Sequence, residues 1–163
     1  MTSKEHAKYV YDQLMTAFDA HGGRLNGGRI PRWRGELASS IALATAGEDI
    51  EHLETRFEIE DDANGWVRGA VVTANLVVSF EFAVTSGKDD AEFVVQTRAL
   101  SSIERVDVRA TFPPNDGEGV VLWPGFPTAT LVFGDSHTVR LGRGSYDPKS
   151  LLSVIQRLPA LLS

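Results

Sequence analysis

Ala7, Val10, Tyr11, Leu14 and Phe18 recur at spacings of three and four, which lays a single apolar stripe along an α-helix. Thr2 stands three positions before Glu5, the capping-box spacing in which a hydroxyl and a carboxylate satisfy each other's orphan amides. The pattern predicts a helix that starts at Thr2 and ends at Gly22-Gly23. Gly27, Gly28 and Pro31 mark a loop, after which Leu37, Ile41 and Ala44 restore helical spacing up to Gly47. This second helix is rich in small residues, so close packing on a neighbour is expected.

From residue 52 the period changes to two. Leu53, Thr55, Phe57 and Ile59 alternate with His52, Glu54, Arg56, Glu58 and Glu60, as in a half-buried strand. Further strands are predicted at 66–73, 76–84, 93–97, 103–110, 130–133 and 138–141, separated by turn-forming stretches such as residues 61–65, Ala74-Asn75 and Gly134-Asp135-Ser136. Residues 113–119 read as a loop. Asp147 as cap, Pro148 at the first helical position and the stripe Leu151, Ile155, Leu158 and Leu162 predict a closing helix, with Pro159 disturbing its last turn.

The expected architecture is α+β: seven antiparallel strands closed by a C-terminal helix, preceded by two helices. That divides the chain into an N-terminal helical extension, 1–50, and a sheet domain, 51–163. Two stretches resemble the bacterial pleckstrin-homology-like and GRAM-like domains. They are Gly69-Ala-Val-Val-Thr73 turning into Leu76-Val-Val-Ser79, and Leu100-Ser-Ser-Ile-Glu104 leading into Val106 and Val108. The resemblance covers residues 52–162 and implies a seven-stranded PH-like barrel, one open end of which is plugged by the terminal helix. Phosphoinositide-binding relatives carry a basic loop between their first two strands. Here Asp61-Asp-Ala-Asn-Gly65 holds two acids and no base, so the fold is carried over and the phosphoinositide site is not.

Charge narrows the function classes. The chain of 163 residues carries a formal net charge of −6, which repels phosphate backbones and anionic lipids; nucleic acid is therefore not an expected partner. Cysteine is absent, removing thiol nucleophiles, cysteine-zinc sites and disulfides. Residues 1–5 lack the basic and apolar runs of a signal peptide, and polar residues interrupt the longest apolar stretch, 70–84. A cytoplasmic location is expected.

Catalytic and cofactor signatures are not legible. His6, His21, His52 and His137 fall in different elements with no metal-ligand spacing, the glycine pairs precede no phosphate-loop lysine, and no serine sits in a Gly-x-Ser-x-Gly elbow. No cofactor and no metal are expected. Asp61-Asp62 and Asp89-Asp90 fall in turns, where acids are at home.

Two segments remain as candidate contacts. Residues 24–34 hold Arg24, Arg29, Arg32 and Arg34 without an acid and include Trp33; arginine forks grip carboxylates and phosphates, and indoles stack. The competing account pairs these arginines with the eight acids of residues 48–62. Trp123 and Phe126 lie in a proline-broken apolar stretch, as exposed aromatic contacts for a partner do, or else cover one end of the sheet. The leading expectation is a non-enzymatic binding or adaptor domain taking a protein or peptide through a sheet edge or through Trp123 and Phe126, with Arg29, Arg32, Trp33 and Arg34 as secondary contacts. The alternative is a cone-shaped NTF2-like fold that binds or isomerises a small apolar ligand, with His52, Asp107 or His137 facing inward. A deep interior cavity with a paired histidine and carboxylate favours the second; a filled barrel plugged by residues 147–162 favours the first.

Overall fold

A computed structural model describes residues 2–19, 30–111, 126–144 and 147–162 of the chain. Helix α1 (Ser3–Asp19) starts on the predicted capping box, with Thr2 N–H donating to Glu5 Oε2 at 2.7 Å and Glu5 N–H to Thr2 Oγ1 at 3.3 Å. Helix α2 (Arg32–Ala44) begins directly after Pro31, five residues earlier than the spacing of Leu37 and Ile41 indicated. Strands β1 (Ile50–Ile59), β2 (Asn64–Thr73), β3 (Leu76–Thr85) and β4 (Val95–Ala99) are followed by the short 3-10 turn Leu100–Ser102. Then come β5 (Ile103–Thr111), β6 (Phe126–Phe133), β7 (Thr138–Leu141) and helix α3 (Pro148–Arg157), which runs into a 3-10 segment, Leu158–Leu162, containing Pro159. Asp147 caps α3 by accepting from Lys149 N–H at 3.1 Å.

The seven-stranded closed barrel expected from the sequence is not formed. The strands divide into a four-stranded antiparallel sheet, β1-β2-β3-β4, and a separate three-stranded one, β5-β6-β7. The division has two local causes. Between β4 and β5 the chain makes a 3-10 turn instead of a hairpin, its first residue Leu100 being buried and donating its N–H to Asn75 O at 2.7 Å. That turn carries β5 out of the first sheet. On the other side, β1 and β7 are joined through a side chain, Glu54, rather than by a backbone ladder.

The four-stranded sheet is a middle layer. One face, with Val67, Val71, Val78, Phe80 and Phe82, packs on Val10, Leu14 and Phe18 of α1 and Trp33, Leu37 and Ile41 of α2. Its other face contributes only Ala70, Val72 and Val77 to a second core, built with Leu131, Phe133 and Leu141 of the smaller sheet and Leu151, Val154 and Leu158 at the end of the chain. Burial along β2 follows from this. Residues 70–73 are buried whichever way they point, whereas Arg68 is exposed. The uncovered part of the second face is where a cleft opens. Among the described residues no helix is long and apolar enough to cross a membrane.

Candidate functional site

The cleft has a volume of about 970 Å³ and lies between the uncovered face of the four-stranded sheet and strand β7. Its floor comes from strand alternation. Glu54, Arg56 and Glu58 share the parity of His52 on β1, and the register sets Arg56 opposite Arg68, and Arg68 opposite Glu81. Two arginines side by side would repel, and carboxylates intervene. Glu58 receives Arg56 Nε at 2.8 Å and an Arg68 guanidinium nitrogen at 3.4 Å, and Glu81 takes the other Arg68 nitrogen at 3.2 Å.

The wall is the outer edge of β7. Phe133 N–H donates to His137 O at 3.0 Å, so that pair is of the hydrogen-bonded kind, and alternation makes Leu131 with Val139 and Ala129 with Leu141 bonded pairs too. The N–H and C=O of Thr138 and Arg140 therefore point away from β6. Gly142, the next residue of that parity, donates its N–H to Glu54 Oε2 at 2.7 Å, which shows that this edge faces β1. Among the described residues no strand pairs with it.

His137 borders the cleft as well, and its Nε2 is shut off from solvent without a hydrogen-bond partner. Such an atom is costly to leave unmatched. Arg140 and Arg143 line the same wall, and among the described residues neither forms an ion pair, in contrast to Arg56 and Arg68.

Beneath one end of the cleft lies a buried polar row. The His52 and Glu54 side chains are 0% and 4% exposed, with Nε2 2.8 Å from Oε2. His52 Nδ1 is 2.8 Å from Ser150 Oγ on α3, and Ser150 Oγ also lies 2.8 Å from Asp147 O. Glu54 also accepts from Gly142 N–H and, at 3.3 Å, from Arg143 N–H. Serine, histidine and carboxylate in a row have the order of a nucleophilic triad. Here the imidazole is sealed, and Ser150 does not border the cleft. The row is a clasp between β1, the end of β7 and α3. Neither anticipated discriminator is met as stated: the histidine–carboxylate pair is buried beneath the cleft and not inside it, and the described residues form no closed barrel for residues 147–162 to plug.

The residues singled out from sequence do not converge. Trp33 is 2% exposed, in edge-on contact with Phe18 and Phe82 at ring separations of 5.5 and 5.4 Å. Arg34 is 3% exposed and lies over the Phe18 and Trp33 rings, with one guanidinium nitrogen 3.5 Å from Met15 Sδ. Arg32 is exposed and pairs with Glu36 at 3.3 Å and with Asp90, not with residues 48–62. Phe126 is 56% exposed at the start of β6. Arg29 and Trp123, like Arg24 and the glycine pairs before Ile30, lie outside the described residues. Of the three residues named for an inward-facing site, His52 is buried in the clasp, His137 borders the cleft and Asp107 is exposed on β5. Trp33 could have been assigned from its own spacing, since Trp33, Leu37 and Ile41 fall four apart and form one helical stripe. Glu54, Arg140 and Arg143 carry no local signal. Their meeting depends on how the two sheets pack.

Carboxylate environments are set by turns. The Thr73 hydroxyl, 2.5 Å from Glu48 Oε2, holds the Glu48 carboxyl below its usual range, with Asn75 adding further donors. The Asn64 side chain and the N–H groups of Ala63 and Asn64 do the same for Asp61, and the His137 N–H followed by Arg98 for Asp135. Among the described residues no group of three or more acids and histidines is placed to hold a metal ion. The chain matches no protein-family model, no curated protein and no solved structure.

Proposed function

We propose that the protein is a non-enzymatic binding module that captures an extended peptide segment of a protein partner along the free edge of β7. The observation that carries this reading is the pair of outward backbone positions, Thr138 and Arg140, on an edge that lines the cleft and that no strand among the described residues pairs with. Strand addition takes affinity from main-chain hydrogen bonds and specificity from alternate side chains. The side chains available at this wall are Arg140 and Arg143, both without ion-pair partners among the described residues. A segment bearing carboxylates fits them, because a guanidinium binds a carboxylate through two parallel hydrogen bonds. On the floor, Glu58 and Glu81 are held by arginines and Glu54 by backbone amides, so these three carboxylates are fixed in place; Glu92 lines the cleft as well.

The test is a displayed library of extended peptides, in which acid-bearing sequences are expected to be selected. Arg140→Pro removes an outward N–H without touching the β6 ladder, a substitution that edge strands tolerate. It should weaken the selected peptides about tenfold, the equivalent of one hydrogen bond, and more than Arg140→Ala does, with the thermal unfolding midpoint nearly unchanged. If no peptides are selected, or if selected peptides bind Arg140→Pro and wild type equally, the reading fails.

A further inference from the structure

Among the described residues strand β5 is the opposite, unpaired edge of the smaller sheet, and it is exposed on both faces over most of its length. Residues 107–111 are all exposed, including Val108 at 54%. Val106 is half-buried against the core, but Val108 and Ala110, on the same face, run past the end of it. Long unpaired edges with apolar side chains are templates for a further strand.

The backbone directions on this edge follow from the neighbouring strand. Ala129, Leu131 and Phe133 of β6 bond to β7, so Thr128, Thr130 and Val132 bond to β5, where their partners are Arg109, Asp107 and Arg105. Pro127, which has no N–H to give, sits opposite Ala110, where none is needed. The outward N–H and C=O groups thus belong to Val106, Val108 and Ala110, the three residues that carry the apolar side chains.

We infer that this edge pairs with the same edge of a second copy of the chain, antiparallel and two-fold symmetric about Val108. That register places Val108 on Val108, Val106 on Ala110, and Asp107 on Arg109 twice over. A two-fold interface repeats each contact, so its edge must complement itself. The neighbouring register, centred on Asp107, sets Asp107 on Asp107 and Arg105 on Arg109, and like charges directly opposite destabilise a sheet. One centred on Val106 runs into the irregularity between Ile103 and Arg105. Arg109 has no ion pair among the described residues, while Asp107 is held only by Arg105 two positions away, at 3.0 Å and exposed. The surface is independent of the β7 cleft, and neither inference requires the other.

Sedimentation of the full chain over a concentration series tests it. Wild type should show a reversible monomer–dimer equilibrium. Asp107→Arg and Arg109→Asp should each be monomeric, because each places like charges across the axis. Mixed in equal amounts, the two should form a heterodimer: the arginine introduced into one chain then faces the aspartate introduced into the other, and the native Arg109 and Asp107 still meet across the axis. Val108→Pro, which removes an outward N–H, should also be monomeric. Circular dichroism of each variant separates loss of pairing from loss of fold. A wild type that stays monomeric throughout, an Arg109→Asp variant that still dimerises alone, or single variants that fail to combine on mixing would each overturn the assignment.

Discussion

Glu54 is the residue on which the two sheets depend for contact at one corner. Its carboxylate accepts from Gly142 N–H and Arg143 N–H and meets His52, all in a site where the side chain is 4% exposed. Buried polar groups contribute modestly when matched and are expensive when a partner is deleted. Glu54→Ala should therefore lower unfolding stability by about 3 kcal/mol, since it strands two amides and an imidazole in one step. Glu54→Gln keeps the volume and one acceptor and should lose about half as much. Urea unfolding measures both, and a loss below about 0.5 kcal/mol for the alanine variant, the range of an ordinary surface change, would remove the clasp from the account. Sequence could not reveal this role. Glu54 shares the parity of Arg56 and Glu58 on β1 and reads like them as one more charge on a solvent face; only the passage of residues 142–144 over β1 distinguishes it.

At the scale of elements, that passage depends on glycine at a defined place. A Cβ on Gly144 would stand 2.5 Å from Thr55 O, and the backbone just before it, at Gly142 and Arg143, is tied to Glu54. Gly35, inside α2, has nothing within 4 Å of an added Cβ. The same substitution should thus act with opposite signs. Gly144→Ala should destabilise by about 1–3 kcal/mol through overlap with backbone that cannot retreat, whereas Gly35→Ala should stabilise by about 0.5–1 kcal/mol through helix propensity. Thermal melts of the pair decide it, and equal shifts would show that residues 142–144 do not press on β1. The elements themselves were largely readable. Capping at Thr2 and Asp147, period two from residue 52 and the Ala74-Asn75 turn are local signals, and local signals locate strands and helices. What they do not encode is which edges meet. A 3-10 turn at Leu100–Ser102 and a side-chain bridge at Glu54 decide between one closed barrel and two sheets, and both are tertiary outcomes. The cleft exists because of that decision, so its residues were as illegible as the split itself.

Across the whole molecule, depressed carboxylates mark the places where the chain turns. Glu5 starts α1, Glu48 ties the approach to β1 onto the β2–β3 hairpin, Asp61 builds the β1–β2 turn and Asp135 the β6–β7 turn, each held below its ordinary value chiefly by hydrogen bonds to its charged form. A group whose folded pKa is lower than its unfolded one adds stability above the unfolded value, and that contribution is lost as the pH falls through the folded one. The usual values are 4.5 for the glutamates and 3.8 for the aspartates, so all four contributions should be intact near neutrality and fade together below those values. The urea midpoint is then expected to be flat as pH falls from about 7 to about 5 and to drop progressively below that. General charge repulsion in acid has the same sign, and a variant separates the two. Glu48→Gln keeps the shape of the side chain but cannot titrate, so it should lie below wild type at neutral pH and converge on it in acid. Parallel curves for Glu48→Gln and wild type, with a constant gap down to about pH 3, would mean that the Thr73 hydroxyl and Asn75 do not hold the charged form of Glu48 and that the acid limb reports repulsion alone.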